Sequence, residues 1–329
     1  MGKRVTILDV AAEAGVSRQT VTRAMNGMDD IKDSTRRRVL DAAERLGYRP
    51  SRFARNLVTR QKQHALGLVV ASFDNPYYTD IAASVLAVAG ERGWQVMMAA
   101  AQDDMDPVLV MLSSHVDVVV MHVGDAGAEP RGAAGGLPIV YLEAESPLPG
   151  AHSVELDIES GIVEMVAALR ERGARRFGMV DSGYLRRTRG SYVPTPKRRW
   201  FEREAGEQFV GAAVGEESIA GGGRAFGELL EAHPDVDAVL VFNDLMALGA
   251  VQHARARGID VPGAVRIVGI DGLALGEAVN PPLTSIALDS RGLAANTLDI
   301  AEILARAEFA GLDPIHRKVR SKILWRASA

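Results

Sequence analysis

Apolar residues recur along this chain in two different patterns. Between residues 7 and 47 they follow a helical spacing, and from residue 65 onward they gather in continuous branched runs. Ile7, Val10, Ala11 and Ala14 fall on one helical face, and Thr6 with Asp9 three residues later makes a capping-box-like start. Gly15 follows, where a chain turning between helices needs positive φ. Ser17 suits the N-cap of a second helix over 18–25, with Val21 and Ala24 turned inward. A third helix is predicted from Asp33 or Ser34 to Gly47, burying Val39, Ala43 and Leu46. The spacing of Ala11, Gly15 and Val21 meets the needs of a helix-turn-helix. The helices cross closely at the alanine, turn at the glycine and lock through the branched residue.

The later runs predict strands over 65–72, 94–101, 116–123, 138–144, 176–182, 236–243 and 265–271. Continuous apolar strands separated by helical stretches imply parallel sheets covered on both faces. Some 270 residues is large for one such sheet, so two doubly wound lobes are expected, with a break near 156–161. Ligands of such sheets sit beyond the carboxyl ends of the strands. There the chain places Phe73-Asp74-Asn75-Pro76-Tyr77-Tyr78, Asn243-Asp244 and Asp271-Gly272. These turns carry carboxylates, amides and rings but no glycine-rich phosphate loop, which opposes a dinucleotide-binding enzyme. Gly221-Gly222-Gly223 follows no convincing strand and reads as a flexible turn, and 102–114 is short for a crossover helix.

Composition narrows the class. With 329 residues, 47% of them hydrophobic, the chain can bury real cores, and the absence of Cys removes disulfides, thiolate metal sites and Cys nucleophiles. The seven His are scattered and form no metal-ligand pair at helical spacing, so no metal or cofactor is expected. No apolar run approaches the roughly 18 residues of a membrane span, and the N-terminus lacks a signal-peptide core, so a cytoplasmic protein is expected. Charge divides the chain: residues 1–60 carry a balance of +6, the remainder −10. A basic head on an acidic body suggests that the head meets a polyanion. Arg36, Arg37 and Arg38 stand in the first turns of the third helix, where the dipole does not favour cations; solvation or phosphates would explain them.

The segment after Tyr48 is distinctive. Pro50 suits a helix start, and residues 51–57 give two turns ending in an apolar residue. So short a helix falls below the roughly 12–15 residues that are stable in water. Ordering it costs about 8–16 kcal/mol of backbone entropy. An outside partner must hold it.

The stretches T-I-L-D-V-A-A-E-A-G-V-S-R-Q-T-V-T-R-A-M-N-G (6–27) and S-T-R-R-R-V-L-D-A-A-E-R-L-G-Y-R-P-S-R-F-A-R-N-L (34–57) resemble the LacI family of bacterial transcription regulators. F-D-N-P-Y-Y, V-F-N-D-L-M-A-L-G-A (241–250), R-I-V-G-I-D-G (266–272), N-P-P-L-T-S-I (280–286) and the terminal L-W-R-A-S-A extend the resemblance through the body. It implies a small all-α helix-turn-helix head with a hinge helix, followed by an α/β, periplasmic-binding-protein-like body of two doubly wound parallel-sheet lobes. The implied domains are 1–48, a hinge over 49–60, and an effector-binding and dimerisation domain over 61–329. Its lobes would take about 61–157 plus 289–313 and about 158–288 plus 314–329. The implied function is a homodimeric regulator, most often a repressor. It would bind near-palindromic double-stranded operator DNA and be controlled by a small effector, with a sugar as first choice. A sugar-uptake receptor and a nucleobase-responsive regulator are the alternatives, and enzymatic activity is not expected.

Residue roles follow from the same resemblance. The N-terminal end of the second helix of such a motif enters the major groove, where Arg reads guanine and Gln adenine. Base readout therefore passes to Arg18, Gln19 and Arg23. Thr6, Ser17, Thr20, Thr22, Asn26 and Arg36 would hold the DNA backbone. Arg52, Ala54, Arg55 and Leu57 would enter the minor groove as the hinge, with Leu57 as the wedge. Effector contacts would come from Phe73, Asp74, Tyr77, Tyr78, Asn243, Asp244 and Asp271, the last contacting ligand or orienting a turn. The family's ligand-binding Arg falls at Lys197 in one register and at Arg198 in another, within the departing stretch 182–201; Arg198 or Arg199 is the expectation.

Overall fold

The computed structural model describes residues 7–25, 28, 31–46, 64–100, 106–113, 115–122, 137–142, 151–184, 191–306 and 313–329. The chain divides into a unit of residues 1–63 and a unit of residues 64–329.

In the first unit, α1 (Ile7–Ala14), α2 (Arg18–Met25) and α3 (Asp33–Arg45) enclose a small core. Val10, Val21, Val39 and Ala42 are fully buried there, with Ala11, Ala14, Ala24 and Ala43 filling between them. Burying each valine is worth about 1.5–3 kcal/mol. Gly15 turns the chain at φ +59°, and Ser17 caps α2 by accepting from Thr20 N at 3.1 Å. Leu46 is only partly buried, and the helix ends two residues before the expected Gly47.

The second unit holds two six-stranded sheets. The first runs β11 (His316–Arg320), β5 (His152–Asp157), β4 (Ile139–Leu142), β3 (Val118–His122), β1 (Ala65–Val70), β2 (Gln95–Ala100), all parallel. Helices α4 (Pro76–Glu91), α5 (Asp106–Leu112) and α10 (Ser290–Arg306) accompany it. The second runs β12 (Lys322–Leu324), β10 (Thr284–Ala287), β9 (Arg266–Asp271), β8 (Ala238–Val241), β6 (Phe177–Ser182), β7 (Phe209–Gly215). Only β12 is antiparallel to its neighbour. Its helices are α6 (Ile158–Glu171), α7 (Pro196–Ala205), α8 (Ile219–Ala232) and α9 (Asp244–Ala256). The all-buried strands β1, β3, β6 and β8 are those whose sequences read as continuous apolar runs.

The chain passes between the lobes at Asp157/Ile158, between β10 and α10, and at Ser321. The third passage lies later than the expected 313/314 boundary, because β11 pairs with β5 from His316↔Ser153 to Arg320↔Asp157 and so belongs to the first lobe. The passages are tied together: Ser321 Oγ donates to the Asp157 carbonyl at 2.6 Å, and Asp157 caps α6 while pairing with Lys318 at 3.1 Å.

Gly221-Gly222-Gly223 is not a flexible turn. All three are buried in the first turns of α8, capped by Ser218 Oγ accepting from Gly221 N at 2.9 Å. A Cβ on Gly222 would collide with the Met246 carbonyl, and one on Gly223 would lie 2.9 Å from the Gly249 carbonyl. The missing side chains let α8 and α9 press backbone to backbone.

Candidate functional site

On the head, packing and recognition use opposite faces of α2. Val21 and Ala24 are buried while Arg18, Gln19 and Arg23 are exposed. Ser17 Oγ lies 2.9 Å from Thr20 Oγ1, and Thr22 Oγ1 donates back to the Arg18 carbonyl at 3.1 Å. Arg36 donates to the Met28 carbonyl at 2.7 Å, so part of its guanidinium secures the α2–α3 connection rather than standing free for phosphate. Thr6, Asn26, Arg52, Ala54, Arg55 and Leu57 lie outside the described residues.

In the body, groups at the carboxyl ends of the two sheets lie close enough to act on one another: Glu217 and Asp271 on Tyr78, and Lys197 on His122. On the first lobe, Asn75 caps α4 by accepting from Tyr77 N at 3.0 Å, with Pro76 pre-setting the first turn. This presents Tyr77 and Tyr78, rings 5.4 Å apart, to His122 at the end of β3, whose ring is 5.0 Å from that of Tyr78. Tyr77 is buried, its hydroxyl without a hydrogen-bond partner. Burial pushes the Tyr78 phenol well above its ordinary range, and the carboxylates of Glu217 and Asp271 on the other lobe add to the shift. Burial likewise lowers the His122 imidazole to about 4, helped by the Lys197 ammonium across the cleft. Phe73 is exposed, and Asp74 accepts from Ser72 Oγ at 2.8 Å.

On the second lobe, Lys197 in the first turn of α7 donates to the Phe242 carbonyl at 3.1 Å, its Nζ 4.2 Å from the centroid of the Phe242 ring. Tyr184 tilts against the same ring at 5.8 Å. The two expected arginines are engaged elsewhere. Arg198 pairs with Glu202 at 2.8 Å and donates to Tyr192 Oη at 2.8 Å, and Arg199 is exposed, donating to the Pro194 carbonyl. Each residue along an α-helix is rotated by about 100° from the one before, so three consecutive residues point in different directions. Of the three, Lys197 is the one on the Phe242 side.

The Asn243–Asp244 pair also divides. Asn243 Oδ1 caps α9 by accepting from Met246 N at 2.9 Å, while its Nδ2 is buried with no hydrogen-bond partner. Asp244 is fully buried with both oxygens engaged: Ser285 Oγ donates to Oδ1 at 2.6 Å and Leu273 N to Oδ2 at 2.7 Å. Burial pushes its carboxyl up to about 6. Asp244 therefore fastens α9 to the ends of β9 and β10. Asp271 adopts φ +131° at 6% exposure, a conformation that costs an L residue about 1–3 kcal/mol and clusters at functional sites.

Comparison with known proteins fits this architecture. Residues 6–51 match the model for bacterial regulatory proteins, lacI family, and residues 166–325 match a periplasmic binding protein-like domain. The chain is 33% identical over 303 residues to the HTH-type transcriptional regulator CelR of Thermobifida fusca, covering 86% of this chain and 87% of the relative. The chain belongs to the LacI family. Catabolite control protein A of Priestia megaterium is another relative, 31% identical over 293 residues, with 86% and 87% covered. A solved transcriptional regulator CelR–cellobiose complex superposes on 99% of this LacI-family chain and on 100% of its own, at 26% identity and a TM-score of 0.69. The family resemblance and the fold class are thus borne out. Such relatives are transcriptional regulators rather than enzymes, and so is this chain. No helix among the described residues is long and apolar enough to cross a membrane.

Sequence reasoning missed His122, Tyr184, Glu217 and Phe242 as neighbours of the cleft. Strand pairing gathers Tyr184, Glu217 and Phe242 beyond β6, β7 and β8, and the approach of the two lobes brings His122 toward them. The start of α7 was legible, since Thr195-Pro196 is an N-cap followed by a first-turn proline; that pair would have fixed the register and pointed to Lys197.

Proposed function

We propose that this LacI-family protein is a sequence-specific DNA-binding repressor whose operator affinity is set by a neutral sugar held between the two lobes. The observation that carries the reading is the exposure of Arg18 and Gln19 on the first turn of α2, with Val21 and Ala24 packed on its other face. This presentation suits base readout in the major groove. The protein acts as a homodimer in the cytoplasm, its domains are 1–48, 49–60 and 61–329, and the hinge pairs with its twin at the operator centre.

The effector half rests on the cleft. Tyr78 is the ring of the first lobe that is left partly exposed to meet a sugar, and Asn243 Nδ2 is a buried donor awaiting an acceptor. A buried donor left in that state costs about 1–3 kcal/mol, which a ligand hydroxyl oxygen would relieve. The solved relative in complex with cellobiose supports the same class. Sugar binding alters the angle between the lobes, and with it the spacing of the two hinges. Its leverage is bounded by differential affinity, about 1–3 kcal/mol.

Footprinting with and without cellobiose tests the reading. A near-palindromic protected site whose occupancy falls with sugar is expected, and no protected site at low salt under either condition would refute it. Arg18→Ala is expected to change operator base preference by about 1–3 kcal/mol. An equal loss on every sequence would assign Arg18 to phosphate instead.

A further inference from the structure

Asp181 stands near the carboxyl end of β6, wholly buried, and no cation is paired with it among the contacts of the described residues. Each of its oxygens accepts twice. Oδ1 takes Ser182 N at 2.9 Å and Thr195 Oγ1 at 2.6 Å; Oδ2 takes Tyr192 Oη at 2.6 Å and Thr195 N at 3.2 Å. A buried carboxylate is tolerated only with such saturation. Fully engaged, it has no acceptor capacity left for a ligand.

Its donors point to what it does. Thr195 is the N-cap of α7: the hydroxyl that donates to Asp181 also accepts from Arg198 N at 3.3 Å. The carboxylate therefore fixes the direction of that hydroxyl hydrogen and leaves a lone pair for the free amide of the helix. Two residues on, Lys197 reaches the Phe242 carbonyl and ring. We propose that Asp181 is the positioning residue of the effector cleft. Through Thr195 and Tyr192 it sets the start of α7 and so aims Lys197 at Phe242. The consequence for effector binding rests on the sugar reading above; the positioning itself does not.

Asp181→Asn is a sharp probe. Whichever way the amide is turned, its NH2 meets a backbone N–H, of Ser182 or of Thr195, so the four-bond arrangement that holds the α7 start is broken. Tyr192→Phe removes a single hydroxyl from a half-buried ring and preserves folding if the first variant does not. The full chain has six lysines, so reductive methylation with 13C gives few NMR signals, and Lys197→Arg identifies the one from Lys197. The Phe242 ring current displaces that signal, and Phe242→Leu calibrates the displacement. In Asp181→Asn and in Tyr192→Phe the signal is expected to move toward the value of a solvent-exposed lysine. A signal unmoved in folded Asp181→Asn, or in Tyr192→Phe where the first variant does not fold, overturns the proposal.

Cellobiose titration adds a second readout. Asp181→Asn is expected to weaken binding roughly tenfold, the scale of one lost charge-assisted hydrogen bond. In a Lys197→Met background it is expected to add nothing. Additive losses would overturn the action through Lys197. Absence of cellobiose binding by the unaltered protein would refute the sugar reading alone, and the Lys197 signal would still decide the positioning.

Discussion

Lys197 donates at 3.1 Å to the carbonyl of Phe242 while its ammonium lies 4.2 Å from the centroid of the same residue's ring. The α7 cation is thus held by the residue just beyond β8, facing the His122 side of the cleft. Lys197→Met is expected to raise the His122 pKa from about 4, since one of its depressing influences is removed while burial remains. Imidazole NMR titration measures it. Cellobiose affinity should fall about ten- to a hundredfold if the ammonium also meets the sugar, the equivalent of about 1.5–3 kcal/mol.

His122 makes stability depend on pH. Its imidazole is held to about 4 against an ordinary 6.5. Between those values the unfolded chain takes up a proton that the folded chain refuses. Stability therefore rises with pH across that window and is lost as pH falls through it. At about 1.4 kcal/mol per unit, the contribution reaches about 3 kcal/mol. Urea denaturation at both ends of the window should show a flatter dependence for His122→Gln than for the unaltered protein. Parallel curves would remove His122 from the account.

The α8–α9 contact is expected to be intolerant of a methyl group. Gly222→Ala and Gly249→Ala each place a Cβ against the partner helix's backbone, which cannot yield as a side chain can. Losses of about 1–3 kcal/mol or more are expected on denaturation. Gly90, within α4, has nothing within 4 Å of its Cβ position. Gly90→Ala should be neutral or stabilise by about 0.5–1 kcal/mol.

Asn243 and Asp244, adjacent in the chain, should separate by phenotype. Asn243→Ser keeps an oxygen able to cap α9 and removes the amide donor, so sugar affinity should fall with a smaller loss of stability than in Asp244→Ala. Asp244→Ala orphans Ser285 Oγ and Leu273 N, and about 1–3 kcal/mol of stability should go with each donor. Thermal melts with and without cellobiose distinguish the two. Equal melting points for Asp244→Ala and the unaltered protein would contradict its fastening role.

Much of this protein is written locally in its sequence. The head is legible because Ala11, Gly15 and Val21 act within a few residues of one another, and the buried strands β1, β3, β6 and β8 because burial on both faces forces a continuous apolar run. Beyond the predicted runs lie β5 and β10, which are short and partly polar, and the edge strands β7, β11 and β12, because an edge strand needs no such run. Phe209–Gly215 is half-exposed throughout, and His316–Arg320 carries Arg317, Lys318 and Arg320. The glycine triplet carries no signal of its own; it became helical packing only because α9 lies across it. Whether Lys197, Arg198 or Arg199 enters the cleft depends on the rotational phase of α7, which Asp181 anchors from β6. Chain order determines which residues are available. The non-local pairing of strands and the meeting of helix backbones decide which of them share a site, because neither a buried carboxylate's donors nor a helix's facing partner need be near it in sequence.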